Sequence, residues 1–517
     1  MVVDQVKSGA LSLFTKVKEL PPWVLAVGGT AAGFYILHAL LGNNLPEDAK
    51  GDPGIFFIGN LLDIGDIYKM FEYQKNIARK YGRVSRQKIM GDTAFVISEP
   101  EINKRIYSTE IDSFGRGGKT LEVFGDIAGG LILQDNGPEQ KEVRKYFDPA
   151  FGIPAIKSYT PYVANCTSKL IKWLESQESN ARDHKGPGVD IQPSLHGLTF
   201  DIIVNILLGF DPNSVETGGH SPHVEAWERG LDHLMSRFPL AITRYWKYYK
   251  TPAVRQYEKD LKLLTDLVMD RHDLYMKDGV PEGAVDILAQ YVNRVKTDPT
   301  SVPTYLKDDR SSLQRHLMTM VFAGHDTTAS SVGWTLSFLA MHPEKKERAR
   351  KEVVEVLKGQ PLTYENLLNL PYLEACIKET MRLRPSSVNM NRVAKKDIIL
   401  EWVDDEGVLR RQGIPKGADC QTTMYASMMD PRNFENPDDF IPERFLNSQY
   451  SPFMYFPFGA GPRKCLGEKL ALFETRYAVA EVLRNFDYGL IDGHVLDLVQ
   501  APTLRIRNGL KVWLKKL

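Results

Sequence analysis

The chain has 517 residues, 43% hydrophobic and 25% charged, with 65 Lys plus Arg against 65 Asp plus Glu. This is ordinary globular composition, long enough for one large core or two modest ones, and the balanced charge leaves no case for nucleic acid or for a strongly acidic partner. The four cysteines, Cys166, Cys376, Cys420 and Cys465, stand far apart and suggest no disulfide framework, which fits a reducing compartment.

Residues 2–20 place Val2, Val3, Val6, Leu13, Phe14 and Val17 near helical spacing among Lys7, Lys16 and Lys18. Such a segment either lies on lipid headgroups or is a solvated terminus. Residues 23–41 are predominantly apolar, interrupted by Thr30 and His38. At about 1.5 Å per residue their length nearly matches a hydrocarbon core, which predicts a membrane anchor after an N-terminal segment 1–22. A cleaved signal peptide is the alternative, given the small residues around Ala31 and Ala32, although the preceding segment is long for one. Pro46, Gly51, Pro53, Gly54 and Gly59 make 42–59 a turn-rich linker, and residues 60–517 form the main domain.

In that domain the spacing predicts a helix over 67–81 and strands over 84–89 and 93–97. Residues 114–130 are rich in glycine and predict a loop. Gly115-Arg116-Gly117-Gly118-Lys119-Thr120 ends like a phosphate-binding loop, but the first glycine of that pattern falls at Ser113. Helical spacing resumes over 138–147, 195–208 and 257–273. Between the last two, 231–249 is rich in aromatic and long apolar side chains, among them Leu234, Met235, Phe238, Leu240, Tyr245 and Trp246. The longest helical pattern, 311–341, is stopped by Pro343 and carries Ala323-Gly324-His325-Asp326-Thr327-Thr328 in its middle. Gly324 alone costs up to about 1 kcal/mol there. Glu379 and Arg382 share a helix face at i, i+3, and Pro442-Glu443-Arg444-Phe445 follows downstream.

The most informative run is Phe458-Gly459-Ala460-Gly461-Pro462-Arg463-Lys464-Cys465-Leu466-Gly467, followed by a helical pattern over 468–482. Glycines let the backbone turn tightly, and a cysteine just before a helix meets unpaired N–H groups that favour a thiolate. With no second cysteine nearby and no HExxH, a tetrahedral zinc cage has no ligands here. A single axial sulfur fits haem iron, where thiolate favours O–O cleavage. The alternative is an inert buried cysteine in a glycine-rich turn.

The run matches Phe-x-x-Gly-x-Arg-x-Cys-x-Gly at every fixed position, and there the chain resembles the cytochrome P-450 superfamily, haem-thiolate monooxygenases, in its membrane-anchored eukaryotic microsomal type. The motif order is also the family's: acid-alcohol pair, Glu-x-x-Arg, Pro-x-Arg-Phe, cysteine loop. The resemblance implies a mainly α fold with a smaller β region, preceded by a transmembrane helix, holding haem b with Cys465 as iron ligand. Phe458, Gly459 and Gly467 would contact the haem, and Arg144, Arg392 and Arg463 its propionates. Gln140 replaces the aromatic or imidazole partner expected one turn before Arg144 and keeps a hydrogen-bond donor. Asp326 and Thr327 would deliver protons to bound oxygen, and Gly324 would leave room for dioxygen. Glu379, Arg382 and Arg444 would close a buried network behind the haem.

The resemblance further implies that 114–130 covers the haem, that 231–249 is either plain core or a lid on the substrate channel, and that 385–390 and 499–504 pass the pocket. Candidate pocket residues are Phe114, Leu121, Phe124, Phe238, Phe322, Ala323, Val388, Met390 and Pro502. The expected reaction inserts one oxygen atom from O2 into a lipophilic steroid, fatty acid, terpenoid or similar compound. Electrons would come from NADPH through a cytochrome P-450 reductase, with cytochrome b5 as an optional second donor. Lys464 and Lys469 either face that reductase or form a solvated face. A haem-thiolate isomerase or dehydratase acting on a peroxide would need no proton relay, and a haem-binding protein without turnover would consume no NADPH. The implied location is the endoplasmic reticulum membrane, with a single-pass anchor and a cytosolic catalytic domain. The three lysines before the anchor, against Lys50 after it, favour the opposite orientation, but that bias is small.

Overall fold

Local capping explains where the long helices begin. The computed structural model describes residues 45–55, 58–116, 118–237 and 250–517. Counting helices of ten residues or more, the first six are α1 (Met70–Tyr81), α2 (Gly118–Ala128), α3 (Pro138–Phe147), α4 (Ile153–Ala181), α5 (Gln192–Leu208) and α6 (Pro222–Met235). The second six are α7 (Pro252–Asp278), α8 (Ile287–Thr297), α9 (Arg310–Met341), α10 (Pro343–Leu357), α11 (Pro371–Leu383) and α12 (Glu468–Asn485). Asp309 starts α9 by accepting hydrogen bonds from the Ser311 and Ser312 amides at 2.9 and 3.1 Å. Ser221, Thr251 and Asp286 cap α6, α7 and α8 in the same way.

The strands are β1 (Val84–Ile89), β2 (Asp92–Ile97), β3 (Phe114–Gly115), β4 (Val189–Asp190), β5 (Asn389–Ala394), β6 (Ile398–Val403), β7 (Leu409–Ile414), β8 (Asp419–Thr423), β9 (Phe486–Leu490), β10 (Leu498–Gln500), β11 (Leu504–Ile506) and β12 (Lys511–Lys516). Five of them form a sheet in the order β1-β2-β8-β5-β3, whose one parallel pair sets Phe95 opposite Cys420. β9 and β4 flank β12, and β6–β7 and β10–β11 are antiparallel pairs. The sheet has its own apolar cluster, including Val84, Phe95, Phe114, Leu400 and Cys420, beside a much larger helical core.

Most of the expected elements are found within a few residues of their predicted bounds. The exception is 114–130, where α2 replaces the expected loop. Val123, Phe124, Ile127 and Ala128 recur at helical spacing and turn one face inward, a period that the glycines on either side obscure. The N-terminal segment, the expected anchor at 23–41 and Phe238 lie outside the described residues. Among the described residues no helix is long and apolar enough to cross a membrane.

α9 is the strut of the helical core, buried around nearly its whole circumference. Several of its polar residues are satisfied locally or by one neighbouring strand. Thr335 and Ser337 bond back to carbonyls four residues earlier, and Ser330 and Trp334 both donate to the Leu504 carbonyl. α5 lies against it. A Cβ on Gly324 would meet Ile203 of α5 at 2.7 Å, so the missing side chain serves helix packing. Gly324→Ala should cost about 1–3 kcal/mol through overpacking. Ile203→Ala alone should cost about 2–5 kcal/mol, and the double variant should lose less than the sum of the two single losses. The midpoints of urea unfolding of the single and double variants check this.

Candidate active site

The cysteine loop is held by close backbone contacts. Gly459 and Gly461 both have positive φ, +71° and +67°, and a Cβ on Gly461 would stand 2.0 Å from the Tyr107 carbonyl oxygen. No residue but glycine fits there. The Cys465 amide donates to the Phe458 carbonyl at 2.8 Å, closing the loop, and Arg144 of α3 donates to the Lys464 carbonyl at 2.7 Å. Cys465 carries accessible surface although protein packs densely around it, as a side chain lining an internal cavity does. That burial pushes its thiol up, and the Gly467 N–H that donates to the sulfur pulls it partly back. All four cysteines are free thiols.

The middle of α9 supplies a second accessible surface inside the fold. Phe322, Ala323, Gly324 and Thr327 retain partial exposure while Leu317–Val321 and Thr328–Leu339 are buried. Ala323 and Thr327 are one turn apart on one face, and the Thr327 hydroxyl donates to the Ala323 carbonyl at 2.7 Å. The chain at 386–392 connects this face to the cysteine loop. Ser386 donates to the Thr327 carbonyl at 2.8 Å, and the Met390 sulfur lies 3.1 Å from where a Gly459 Cβ would stand.

Guanidinium groups gather beside this space. Arg463 is spanned by Asn136 and by the Leu131 and Gln134 carbonyls at 2.8–2.9 Å. Arg392 lies over the Tyr107 ring at 5.1 Å and donates to the Asn391 carbonyl, but its Nη2 has no partner. Arg116, within the run that ends like a phosphate-binding loop, is close enough to repel both, and its Nε also has no partner. Burial, with the charges of Arg392 and Arg144, brings Arg463 down to about 10, and burial first and then Arg392 and Arg463 lower Arg116. Asp135 is engaged by Lys395 at 3.0 Å. Buried cationic donors without acceptors require an anion. Two propionates beside an accessible thiol therefore fit the residues present, and the site suits haem.

Behind the loop, Glu379 and Arg382 of α11 are wholly buried. Arg382 donates to both Glu379 oxygens at 2.8 Å, and Arg444 and the Ile441 amide add donors at 3.1 and 3.0 Å. The remaining Arg382 donors go to the Met428, Pro437 and Asp439 carbonyls.

The cytochrome P-450 family model matches residues 50–506. The chain belongs to the cytochrome P-450 family. It is 28% identical to cytochrome P-450 4d2 of Drosophila melanogaster, covering 89% of this chain and 92% of that one. It is also 28% identical to cytochrome P-450 3A6 of Oryctolagus cuniculus, over 91% and 92%, and 29% identical to the chloroplastic cytochrome P-450 97B2 of Glycine max, over 82% and 80%. The protein is a P-450 monooxygenase of the haem-thiolate type.

Several expected site residues stand elsewhere in this P-450. Phe114 is fully buried in the core of the five-stranded sheet and Val388 in the helical core, so neither faces an open pocket. Phe124 is nearly buried on α2, and Leu121 is 41% exposed. Phe322, stacked on Trp227 at 6.1 Å, remains partly accessible, as do Ala323, Met390 and Pro502. Gln140 is buried on α3, and Phe458 and Gly467 are half-buried in the loop. At Gly324 the Cβ side is taken by Ile203, while the residue itself remains partly accessible. Asp326 faces away from Thr327, toward Thr503 and His196, two residues that no sequence motif marks. Lys464 is paired with Glu468 at 2.6 Å, whereas Lys469 is exposed.

Glu379→Ala should leave the buried Arg382 charge uncompensated and cost about 3–5 kcal/mol. The purified variant should contain little haem, read from its haem-to-protein ratio. Arg116→Met should keep the fold, and loss of one charge-assisted contact should speed haem transfer to apomyoglobin about tenfold or more.

Proposed function

We propose that this P-450 inserts one oxygen atom from O2 into a lipophilic small molecule of the steroid, fatty acid or terpenoid kind, with electrons from NADPH passed by a partner reductase. The observation that carries this reading is the pairing of an accessible Cys465 sulfur with an accessible, mostly apolar face on α9 that bears one hydroxyl, Thr327. Haem, when bound, supplies the activation of dioxygen and the storage of electrons. The protein groups do the rest. Cys465 would hold the haem iron through its sulfur, and the Gly467 N–H already donates to that sulfur. Arg116, Arg392 and Arg463 would hold the propionates, with Arg144 bracing the loop from behind. Phe322 and Ala323 offer a lipophilic substrate an apolar wall, stiffened by Trp227. Thr327 Oγ1 can hold a proton at that face because its own hydrogen is directed to the Ala323 carbonyl until a better acceptor arrives.

We also infer a proximal docking surface for the reductase near the exposed Lys469, and residence on the endoplasmic reticulum membrane with the catalytic domain in the cytosol. The apolar residues 23–41 and the microsomal character of the resemblance support that location.

The absorption spectrum of the reduced protein under carbon monoxide tests the reading. A strongly red-shifted Soret band is expected in the wild type and should be lost in Cys465→Ala. Absence of that band in the wild type overturns it. NADPH oxidation should in turn require added reductase.

A further inference from the structure

The reading above uses Thr327 and leaves its neighbour Asp326 on the far side of α9. The two residues are adjacent in sequence and so about 100° apart around the helix. Asp326 is 1% exposed, accepts a hydrogen bond from Thr503 Oγ1 at 2.5 Å through Oδ2, and faces His196 Nδ1 across 3.7 Å through Oδ1. Thr503 stands in the turn between β10 and β11, and His196 on α5. A carboxylate buried this deeply is costly unless donors meet it. Thr503 provides one donor. His196 Nδ1 has no hydrogen-bond partner, and a small rotation of either side chain would bring it onto Oδ1.

The surroundings of His196 are polar along one line through an otherwise apolar core. The His325 ring lies edge-on to it at 5.3 Å, and Phe200 lies edge-on to His325 at 5.5 Å. Neither His325 nitrogen has a partner, and burial, with His196 and Arg505 nearby, pushes that ring toward its neutral form. Arg505 of β11 then reaches Asp232 of α6, whose side chain is 60% exposed. Thr199, one turn after His196 on α5, donates to the His325 carbonyl at 2.9 Å and pins the two helices together at this level. Asp326, His196, His325, Arg505 and Asp232 thus lie in sequence between the centre of α9 and the surface, without a continuous chain of hydrogen bonds.

We propose that His196 is the positioning residue for Asp326, holding its carboxylate with Thr503 on the α5 side of α9, so that the acid and Thr327 address different sides of the helix. The proposal rests on the monooxygenase reading for its consequence and on geometry alone for the contact. With His196 in place, the carboxylate keeps two partners and one orientation. Without it, the carboxylate loses one of its two partners and its orientation, and a larger share of the electrons from NADPH should end on hydrogen peroxide.

The contact is tested on the full-length holoenzyme in its ferrous carbon monoxide form, which is diamagnetic, with 15N-labelled histidine. The His196 ring signals, assigned by their loss in His196→Leu, should show a protonated Nδ1 and should move in Asp326→Asn. Unmoved signals overturn the proposal. The role is tested by NADPH oxidation with a purified microsomal NADPH–cytochrome P-450 reductase. The hydrogen peroxide released per NADPH should rise about tenfold in His196→Leu. His196→Asn keeps a donor where Nδ1 stood, and it should return the yield to within about twofold of the wild type. Equal yields in all three proteins, or an Asn variant as leaky as Leu, overturn the positioning role. A wild type that oxidises no NADPH would overturn the monooxygenase reading instead, and the ring signals would still decide the contact.

Discussion

One carboxylate fixes the rear wall of the site. Glu379 is buried without access to water, and its two oxygens receive four donors from Arg382, Arg444 and the Ile441 amide. Two guanidiniums against one carboxylate leave an excess positive charge, and the structure answers it with carbonyl oxygens. Met428, Pro437 and Asp439 accept from Arg382, and Glu435 and Asn436 accept from Arg444. The chain between Met428 and Arg444 runs in turns without a regular helix or strand, and these arginines tie its carbonyls in place. The Tyr455 hydroxyl ties the next stretch back to α11 through the Lys378 carbonyl at 3.0 Å. The loop that presents Cys465 is therefore suspended between α11 and α12, and it can be no better ordered than the Glu379 network behind it.

α9 combines two roles that pull its sequence in opposite directions. As a strut buried on nearly all sides it needs apolar or self-satisfied residues, and from Val332 to Leu339 it has them. At 322–327 it must instead open a face to small molecules and place polar groups in a core. The structure separates these tasks by angle. Phe322, Ala323 and Thr327 face the opening, Gly324 allows α5 to approach on another side, and His325 and Asp326 point into a polar seam shared with α5 and the β10–β11 turn. Poor helix propensity in the middle of this helix marks a place where three neighbours are served within two turns.

That separation explains what could be read from the sequence. The cysteine loop, the Glu-x-x-Arg pair and Arg444 were legible because each motif is short and its residues meet the same neighbours wherever the pattern occurs. The helical and strand periods were legible for the same local reason, and α2 was missed only because glycines flank a four-residue apolar stripe. Phe114 was misplaced because an aromatic residue at the edge of a glycine-rich stretch reads equally well as pocket or core. Its pairing with Ala394 across β3 and β5, far apart in sequence, decides for core. Arg116, His196 and Thr503 carry no local signature at all. Their importance comes from what the fold brings beside them, and only tertiary proximity shows it.

The charges around the loop connect cofactor binding to folding. Arg392 lowers the proton affinity of Arg116 and Arg463, and Arg463 that of Arg116, beyond the effect of burial, and Arg116 and Arg392 keep donors without acceptors. A polypeptide could satisfy such a cluster with its own carboxylates, as the Glu379 network does a short distance along the chain. Here the available carboxylate, Asp135, is committed to Lys395 and to the Arg116 and Asn136 amides. The deficit matches a ligand with two carboxylates. A group that binds the folded chain and not the unfolded one adds its binding energy to stability, and the desolvated guanidiniums make that term large at this place. The unpartnered guanidinium donors thus lie where a bound dicarboxylate would add most to the stability of the folded chain.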